Sequence, residues 1–200
     1  MATGNSVVAE TDYAAIVRRP LEAARCALVV VDIQEKLVRH IYEKERLLRN
    51  AQLLARAVKL LEVPALTTTQ NARGLGPVVP ELAELLPNQN FMDKTSFDSF
   101  AYEPFAAAVK ALPGKRNTLL VCGMETHSCV LQTVLTALEK GYLVHVPVDA
   151  VGSRTELNWK VGLERMRAAG AVLSSTETII FELVRGFKTP AFKELLPYLK

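Results

Sequence analysis

Apolar positions along the chain follow two alternating patterns. Short runs rich in β-branched residues, such as CALVVVDI at 26–33, are typical of strands that are covered on both faces. Longer segments carry apolar residues at steps of three and four, as between Glu43 and Leu61, which predicts helices with one buried face. The patterns predict six strands, at 26–33, 63–70, 90–92, 117–123, 142–148 and 171–174.

Helices are predicted between these strands, at 43–61, 80–86, 105–112, 126–140 and 155–169, and after the last strand at 176–184. Regular alternation of strand and helix is the pattern of an α/β fold: an open parallel sheet with helices on both faces. Ligands of such sheets bind beyond the carboxyl ends of the strands, near the point where strand order reverses. A functional site is therefore expected where strands end.

Length and composition favour a single globular domain. The chain has 200 residues, of which 50% are hydrophobic and 22% charged, and its net charge is +3. The basic residues are scattered, so no nucleic-acid partner is expected. Residues 1–20 lack the features of a signal peptide and no apolar run is long enough to cross a bilayer, so no membrane association is expected.

Only three cysteines are present, at positions 26, 122 and 129. An odd and sparse number favours free thiols in a reducing compartment, and hence a cytoplasmic location, over a disulfide framework. Cys26 and Cys122 lie inside predicted strands and are interpreted as small apolar core residues.

Three predicted strand ends carry reactive side chains. Asp32 ends the first strand, where an unpaired buried carboxylate would be unfavourable, although it would also suit a loop cap. Lys94 follows the third strand, although most lysines are solvated surface residues. Cys129 falls in the first turn of a helix capped by Thr126, where the helix dipole favours a thiolate, although a buried filler cysteine is the commoner case.

Other motifs are missing or less specific. The histidines are far apart in sequence and no Gly-x-Gly-x-x-Gly follows the first strand, so no metal site and no cofactor is predicted. His127 is a weaker candidate for a base beside the cysteine. The candidate substrate-binding residues are Gln34, Gln70, Phe97, Phe100 and Thr126, each of which would also suit an ordinary loop, core or capping role.

Four blocks of sequence carry a family resemblance: LVVVDIQEKL, FMDKTSFDSF, LLVCGMETHSCVLQTVLTALEKGY and VDAVGSR. In this order they resemble the isochorismatase-like hydrolase superfamily, from about residue 27 to about residue 184. The resemblance implies a three-layer α/β/α sandwich whose six-stranded parallel sheet has the Rossmann-like order 3-2-1-4-5-6. It divides the chain into an N-terminal extension at 1–22 and a hydrolase domain at 23–200.

The resemblance also implies a catalytic site of Asp32, Lys94 and Cys129. Because true isochorismatases lack the cysteine, it favours the cysteine hydrolase branch, which cleaves C–N bonds of amides. The Asp-x-His metal motif of nicotinamidases is replaced here by TTTQNARGLGP, which argues against that activity and its metal. The resemblance further implies a cis peptide between Met124 and Glu125, and an oxyanion hole formed by the backbone N–H groups of Glu125 and Cys129.

The mechanism expected from these residues is nucleophilic catalysis by the Cys129 thiol. Lys94 and the helix N-terminus would lower the pKa of the Cys129 thiol, Asp32 would accept its proton, and a thioester with a small-molecule acyl group would form. Two alternatives stay open: a catalytically silent homo-oligomeric scaffold or redox-responsive protein of the same fold, and ether hydrolysis of the isochorismatase type. The family often assembles from identical subunits, so a homo-oligomer is expected.

Overall fold

The computed structural model describes residue 17, residues 19–86 and residues 91–199. The strands are β1 (Cys26–Val31), β2 (Ala65–Gln70), β3 (Met92–Lys94), β4 (Thr118–Met124), β5 (Leu143–Pro147), β6 (Val151–Gly152) and β7 (Val172–Ser174). They form one sheet in the order β3-β2-β1-β4-β5-β7, and all pairings between them are parallel. The predicted fold class and strand order are confirmed, with β7 as the predicted sixth strand. The two-residue β6, which pairs with the end of β4, was not predicted.

The α-helices are α1 (Glu35–Val38), α2 (Lys44–Leu60), α3 (Ala72–Leu75), α4 (Pro80–Ala83), α5 (Glu103–Lys110), α6 (Leu131–Glu139), α7 (Glu156–Ala168), α8 (Thr176–Val184) and α9 (Pro190–Leu195). Short 3₁₀ turns lie at Ala23–Arg25, Ser99–Ala101 and Leu196–Tyr198, and a π-helical turn at Thr126–Val130 leads into α6. The predicted helix at 126–140 is therefore two segments of different winding. The helices α1, α3 and α9 were not predicted, because each is too short to show a full amphipathic period.

The third strand lies further along the chain than predicted. Its predicted first residue, Asn90, is outside the described residues, and the strand runs from Met92 to Lys94. Its ladder pairs Gln70 of β2 with Lys94, so Lys94 is the last residue of the strand and does not follow it. The strand carries little apolar signal because only its last side chain is buried.

The central strands are buried on both faces because their side chains alternate between two hydrophobic layers. On one face of the sheet, Leu28 and Val30 pack with α2 and α8. On the other face, Val29 and Val31 pack with α5, α6 and α7. Burial of each such side chain stabilises the fold by about 1.5–3 kcal/mol, so continuous apolar runs become the interior strands of a three-layer sandwich.

The ends of β1 and β4 lie against each other. Gly123 has a φ of 129°, and a Cβ at this position would lie 2.1 Å from the carbonyl oxygen of Val31. Only glycine allows this approach. After β1 the chain turns towards β2, and after β4 it turns towards β5, so strand order reverses between them. This switch point is where ligands of open α/β sheets bind.

The last residues of the predicted N-terminal extension contact α8. The backbone N–H of Leu21 donates to Glu182 Oε2 (2.9 Å), and Arg185 Nη2 donates to the carbonyl oxygens of Pro20 (3.0 Å) and Leu21 (2.8 Å). Residues 1–16 and 18 of that extension lie outside the described residues. None of the helices in the described ranges is long and apolar enough to cross a membrane.

Candidate active site

Asp32 and Lys94 form a buried ion pair at the carboxyl ends of the strands. Asp32 directly follows β1 and has a left-handed backbone, with a φ of 53°. Lys94 Nζ lies 2.7 Å from Asp32 Oδ2, and both side chains are 0% exposed. An isolated charge at such a depth would be very unfavourable, so each group depends on the other as its counter-ion.

The Lys94 ammonium group is saturated by protein acceptors. Its Nζ also donates to Gln70 Oε1 (2.9 Å) and to the carbonyl oxygen of Ser96 (3.1 Å). An ammonium group has three protons, and three acceptors are present. Lys94 therefore has no proton left to donate to a ligand and acts on the site through its positive charge.

Cys129 lies in the π-helical turn that follows β4, and its side chain is buried. The peptide bond between Met124 and Glu125 just before this turn is cis. Glu125 is the residue that precedes the turn, and Thr126 is the first residue within it, so the prediction that Thr126 caps this helix is wrong. The Thr126 hydroxyl is buried and finds no hydrogen-bond partner among the described residues.

The Cys129 thiol is neutral in this environment. Burial raises its pKa from 9.0 to about 12, and the negative charge of Asp32 acts in the same direction. The positive charge of Lys94 and a hydrogen bond from Ser128 lower the pKa, while a hydrogen bond from the thiol to Asp32 raises it further. The predicted net lowering is therefore wrong, because desolvation and the charge of Asp32 outweigh the charge of Lys94.

This arrangement joins a thiol to a carboxylate that is able to accept its proton. Both functional groups come from the switch point, Asp32 after β1 and Cys129 after β4, and Asp32 is close enough to the thiol to raise its pKa. A nucleophile held by hydrogen bonding to a base, which is oriented in turn by a third group, is the general arrangement for covalent catalysis.

In both candidate glutamines, the side-chain nitrogen and the side-chain oxygen are each hydrogen-bonded to other protein groups. The buried Gln34 donates from Nε2 to the carbonyl oxygens of Gln70 (3.2 Å) and Gly76 (2.7 Å), and its Oε1 accepts from the Gln70 backbone N–H (2.7 Å). The Gln70 side chain joins Lys94 to the carbonyl oxygen of Thr95 (2.9 Å). Both glutamines therefore hold the loops around the ion pair together.

The two candidate phenylalanines differ in exposure. Phe97 is 55% exposed. Phe100 is buried and packs edge-on against Phe105, with 5.1 Å between ring centroids, and it also faces Tyr142 at 6.2 Å. Phe100 is therefore part of the hydrophobic layer that contains α5 and α6.

Neighbouring polar residues anchor the nucleophile turn to the segment after β6. Glu125 Oε1 accepts from the Arg154 backbone N–H (3.1 Å) and from Arg154 Nε (2.9 Å). His127 Nδ1 lies 3.0 Å from the Ser153 hydroxyl oxygen, which gives the His127 ring a partner other than the thiol.

The remaining thiols and possible metal ligands are separate from this constellation. Cys26 and Cys122 are free, buried and packed in the layer with α2 and α8, and burial raises the pKa of each thiol to about 12. Within the part of the chain that the structure describes, no group of three or more His, Cys, Asp and Glu side chains is placed to hold a metal ion.

The fold and the site define a parallel α/β domain with a buried thiol, carboxylate and ammonium group at its switch point. The family model described as "Isochorismatase domain" matches residues 26–178. The chain belongs to the isochorismatase family.

Two curated relatives cover most of the chain. Isochorismatase domain-containing protein 2B of Mus musculus is 39% identical over 173 residues, which are 86% of this chain and 80% of that protein. The secreted isochorismatase effector Isc1 of Phytophthora sojae is 38% identical over 176 residues, which are 86% of this chain and 83% of that protein.

Three solved structures share the fold closely. MAR1 ribonuclease from Caenorhabditis elegans has a TM-score of 0.83 and 35% identity, covering 90% of this chain and 92% of that one. YcaC from Pseudomonas aeruginosa, solved with hexane-2,5-diol and covalent acrylamide, has a TM-score of 0.84 and 29% identity, with the same coverage. YcaC from Escherichia coli, described as an octameric hydrolase of unknown specificity, has a TM-score of 0.84 and 28% identity, covering 90% of each chain.

Proposed function

We propose that this chain is a cysteine hydrolase that cleaves an amide-type C–N bond of a small molecule through a covalent thioester at Cys129. The observation that carries the proposal is the buried ion pair of Asp32 with Lys94, at 2.7 Å, beside the Cys129 thiol, whose pKa the Asp32 charge raises. Nucleophile, base and counter-ion thus form one connected unit.

The first half of the reaction forms the thioester. As the Cys129 sulfur attacks the carbonyl carbon, its proton moves to Asp32, so the thiol, whose pKa is raised to about 12, reacts without first forming a free thiolate. The backbone N–H groups of Glu125 and Cys129 would stabilise the developing oxyanion, and loss of one such donor typically costs about 3 kcal/mol. Asp32 then protonates the leaving amine as the C–N bond breaks.

The second half releases the acid. Asp32 is again ionised and takes a proton from a water molecule, whose oxygen attacks the thioester carbon. The C–S bond breaks, and the proton returns from Asp32 to the sulfur of Cys129. Substrate and water together become a carboxylic acid and an amine, and the protein ends in its starting state.

One relative supports a reactive nucleophile in this fold. Acrylamide is both an amide and an electrophile that reacts with thiols, and it is bound covalently in YcaC from Pseudomonas aeruginosa. Acrylamide is therefore a suitable first probe of Cys129 in this chain.

The test is a screen of amides, carbamoyl amines and hydroxamates with the wild-type protein and the variants Cys129→Ala, Cys129→Ser and Cys122→Ala. We expect hydrolysis that both Cys129 variants abolish and Cys122→Ala retains, with an acyl adduct on Cys129 in intact-mass spectra after rapid quenching. Hydrolysis of a substrate by Cys129→Ala would overturn the thioester. Activity on a vinyl ether that survives Cys129→Ser would instead support the isochorismatase reaction.

The same variants test the non-catalytic alternative. If no compound is hydrolysed and dilute peroxide oxidises Cys129 selectively, a redox-responsive role would replace the hydrolase. Because one solved relative is named a ribonuclease, RNA belongs in the screen as well. RNA cleavage that disappears in Cys129→Ala would contradict the small-molecule substrate.

We also propose that the protein is a homo-oligomer in a reducing compartment such as the cytoplasm. An octamer is described for YcaC from Escherichia coli, and all three thiols of this chain are free. Light scattering coupled to size exclusion gives the subunit number, and a monomer at micromolar concentration would refute the assembly. The secreted relative in Phytophthora sojae makes fractionation of the source cells the direct test of location.

A further inference from the structure

The Asp32 carboxylate has a third protein partner besides Lys94 and Cys129. The hydroxyl group of Thr68, in β2, donates to Asp32 Oδ1 at 2.8 Å. The Asp32 backbone N–H in turn donates to the Thr68 carbonyl oxygen at 3.2 Å. Both residues are 0% exposed. Thr68 therefore holds the backbone and the side chain of Asp32 at the same time.

We propose that Thr68 is a positioning residue of the proposed reaction, whose hydroxyl group holds the Asp32 carboxylate turned towards the Cys129 thiol. The inference rests on the proposed function for its catalytic meaning. Its physical basis is that each oxygen of the Asp32 carboxylate accepts a hydrogen bond from a different donor: Thr68 binds Oδ1 and Lys94 binds Oδ2. With both oxygens fixed, the carboxylate is restrained against rotation about its Cβ–Cγ bond.

The backbone of Asp32 makes this restraint necessary. Its φ of 53° is in the left-handed region, which non-glycine residues adopt rarely and at a cost. The side chain therefore leaves the end of β1 in an unusual direction, and contacts from β2 and β3 define where the carboxylate lies. Lys94 supplies the charge, and Thr68 supplies the second point of attachment.

The next residue of β2 provides a matched control. Thr69 Oγ1 donates to Asp93 Oδ1 at 3.0 Å, and the same oxygen accepts from the Ala72 backbone N–H at 2.8 Å. This is also a threonine-to-aspartate hydrogen bond from β2, but Asp93 is exposed. Thr69→Val removes the same kind of bond without contact to the ion pair.

The experiment measures the rate of Cys129 alkylation by iodoacetamide against pH, by mass spectrometry of the labelled peptide, and it needs no substrate. Lys94 from β3 and Cys129 from the π-helical turn are the charged and titratable groups in contact with Asp32 in the described part of the chain. Iodoacetamide alkylates the thiolate, so the rate falls as pH falls, and the midpoint of that fall is the acid limb of the profile.

In Thr68→Val we expect the acid limb to move to higher pH by about one unit, because the ionised carboxylate loses a hydrogen bond. Thr68→Ser keeps the hydroxyl and should restore the wild-type limb, and Thr69→Val should leave it in place. If Thr68→Val does not fold, Thr68→Ala serves as the variant without the hydroxyl group and is compared with Thr68→Ser. A limb that stays in place in the hydroxyl-free variant, or that moves equally in Thr69→Val, would overturn the inference.

The failure of this inference and that of the proposed function are distinguishable. A shifted limb in a protein that hydrolyses nothing in the screen would leave the Thr68 contact intact and reject the hydrolase. Hydrolysis that depends on Cys129, together with an unshifted limb and an unchanged kcat in Thr68→Val, would reject the role of Thr68 alone.

Discussion

The ion pair between Lys94 and Asp32 makes a quantitative prediction about stability. Lys94→Met keeps the length of the side chain and removes its charge, which leaves a carboxylate with no counter-ion at a site that is 0% exposed. Breaking one side of a buried ion pair costs about 3–5 kcal/mol. For a chain of 200 residues, each kcal/mol lowers Tm by about 2–4 °C, so we expect Tm to fall by about 6–20 °C.

Urea denaturation followed by circular dichroism measures this loss as a free energy of unfolding. The control is Lys160→Met, which removes an exposed ion pair with Glu156 (2.8 Å) and should change stability little. The double variant Asp32→Asn/Lys94→Met removes both charges, and asparagine tolerates the left-handed backbone at position 32. We expect the double variant to be more stable than Lys94→Met alone.

Two outcomes would refute this reasoning about the ion pair. The first is a loss of less than about 1 kcal/mol in Lys94→Met, which would mean that the carboxylate is solvated or protonated without its partner. The second is a double variant no more stable than the single one, which would assign the loss to packing or to the unpaired acceptors Gln70 and Ser96.

Three further predictions concern the thiols and the switch point. Asp32→Asn should make alkylation of Cys129 faster at pH 9–10, where hydroxide removes the thiol proton, because the Asp32 charge raises the pKa of the thiol; an unchanged rate in the mass-spectrometric assay would contradict that cause. Gly123→Ala should destabilise by more than about 4 kcal/mol in urea titrations, since an added Cβ would lie 2.1 Å from a backbone oxygen of β1. The control Gly114→Ala also has a positive φ, 76°, but open space around it, and should cost far less. Burial raises the pKa of the Cys122 thiol to about 12. The preference of the folded state for the protonated thiol therefore stabilises the protein fully below the pKa of the unfolded thiol, near pH 9. This stabilisation is then lost at up to about 1.4 kcal/mol per pH unit as pH rises towards 12, and Cys122→Ala should show a shallower loss than the wild type.

The interior of the sheet was predictable because its strands carry a strong local signal. In β1 and β4 every side chain is buried, so continuous apolar runs mark both strands without knowledge of their neighbours. β3 lacks this signal, since only Lys94 among its three residues is buried. Its position depends on hydrogen bonds to β2, which is why the predicted strand began too early.

The candidate site was predictable in its residue types but not in its protonation. Asp32, Lys94 and Cys129 stand at strand ends, and the resemblance named all three. Thr68 was missed, although it is one of three consecutive threonines in a buried strand, and buried hydroxyl groups need hydrogen-bond partners. The direction of the Cys129 pKa was also missed, because a local argument from the helix N-terminus omits burial by the surrounding layers.

The sequence by itself determined the α/β class, the order of elements and the family, since these depend on local periodicity and on short blocks of residues. The tertiary structure alone decided how the charges and protons of the site are arranged. Lys94 and Asp32 are 62 positions apart in sequence and meet only because β3, β2 and β1 pair in register. Hydrogen bonding and desolvation act through space, so the contact of Thr68 with Asp32, the saturation of Lys94 and the neutral thiol of Cys129 exist only in the folded chain.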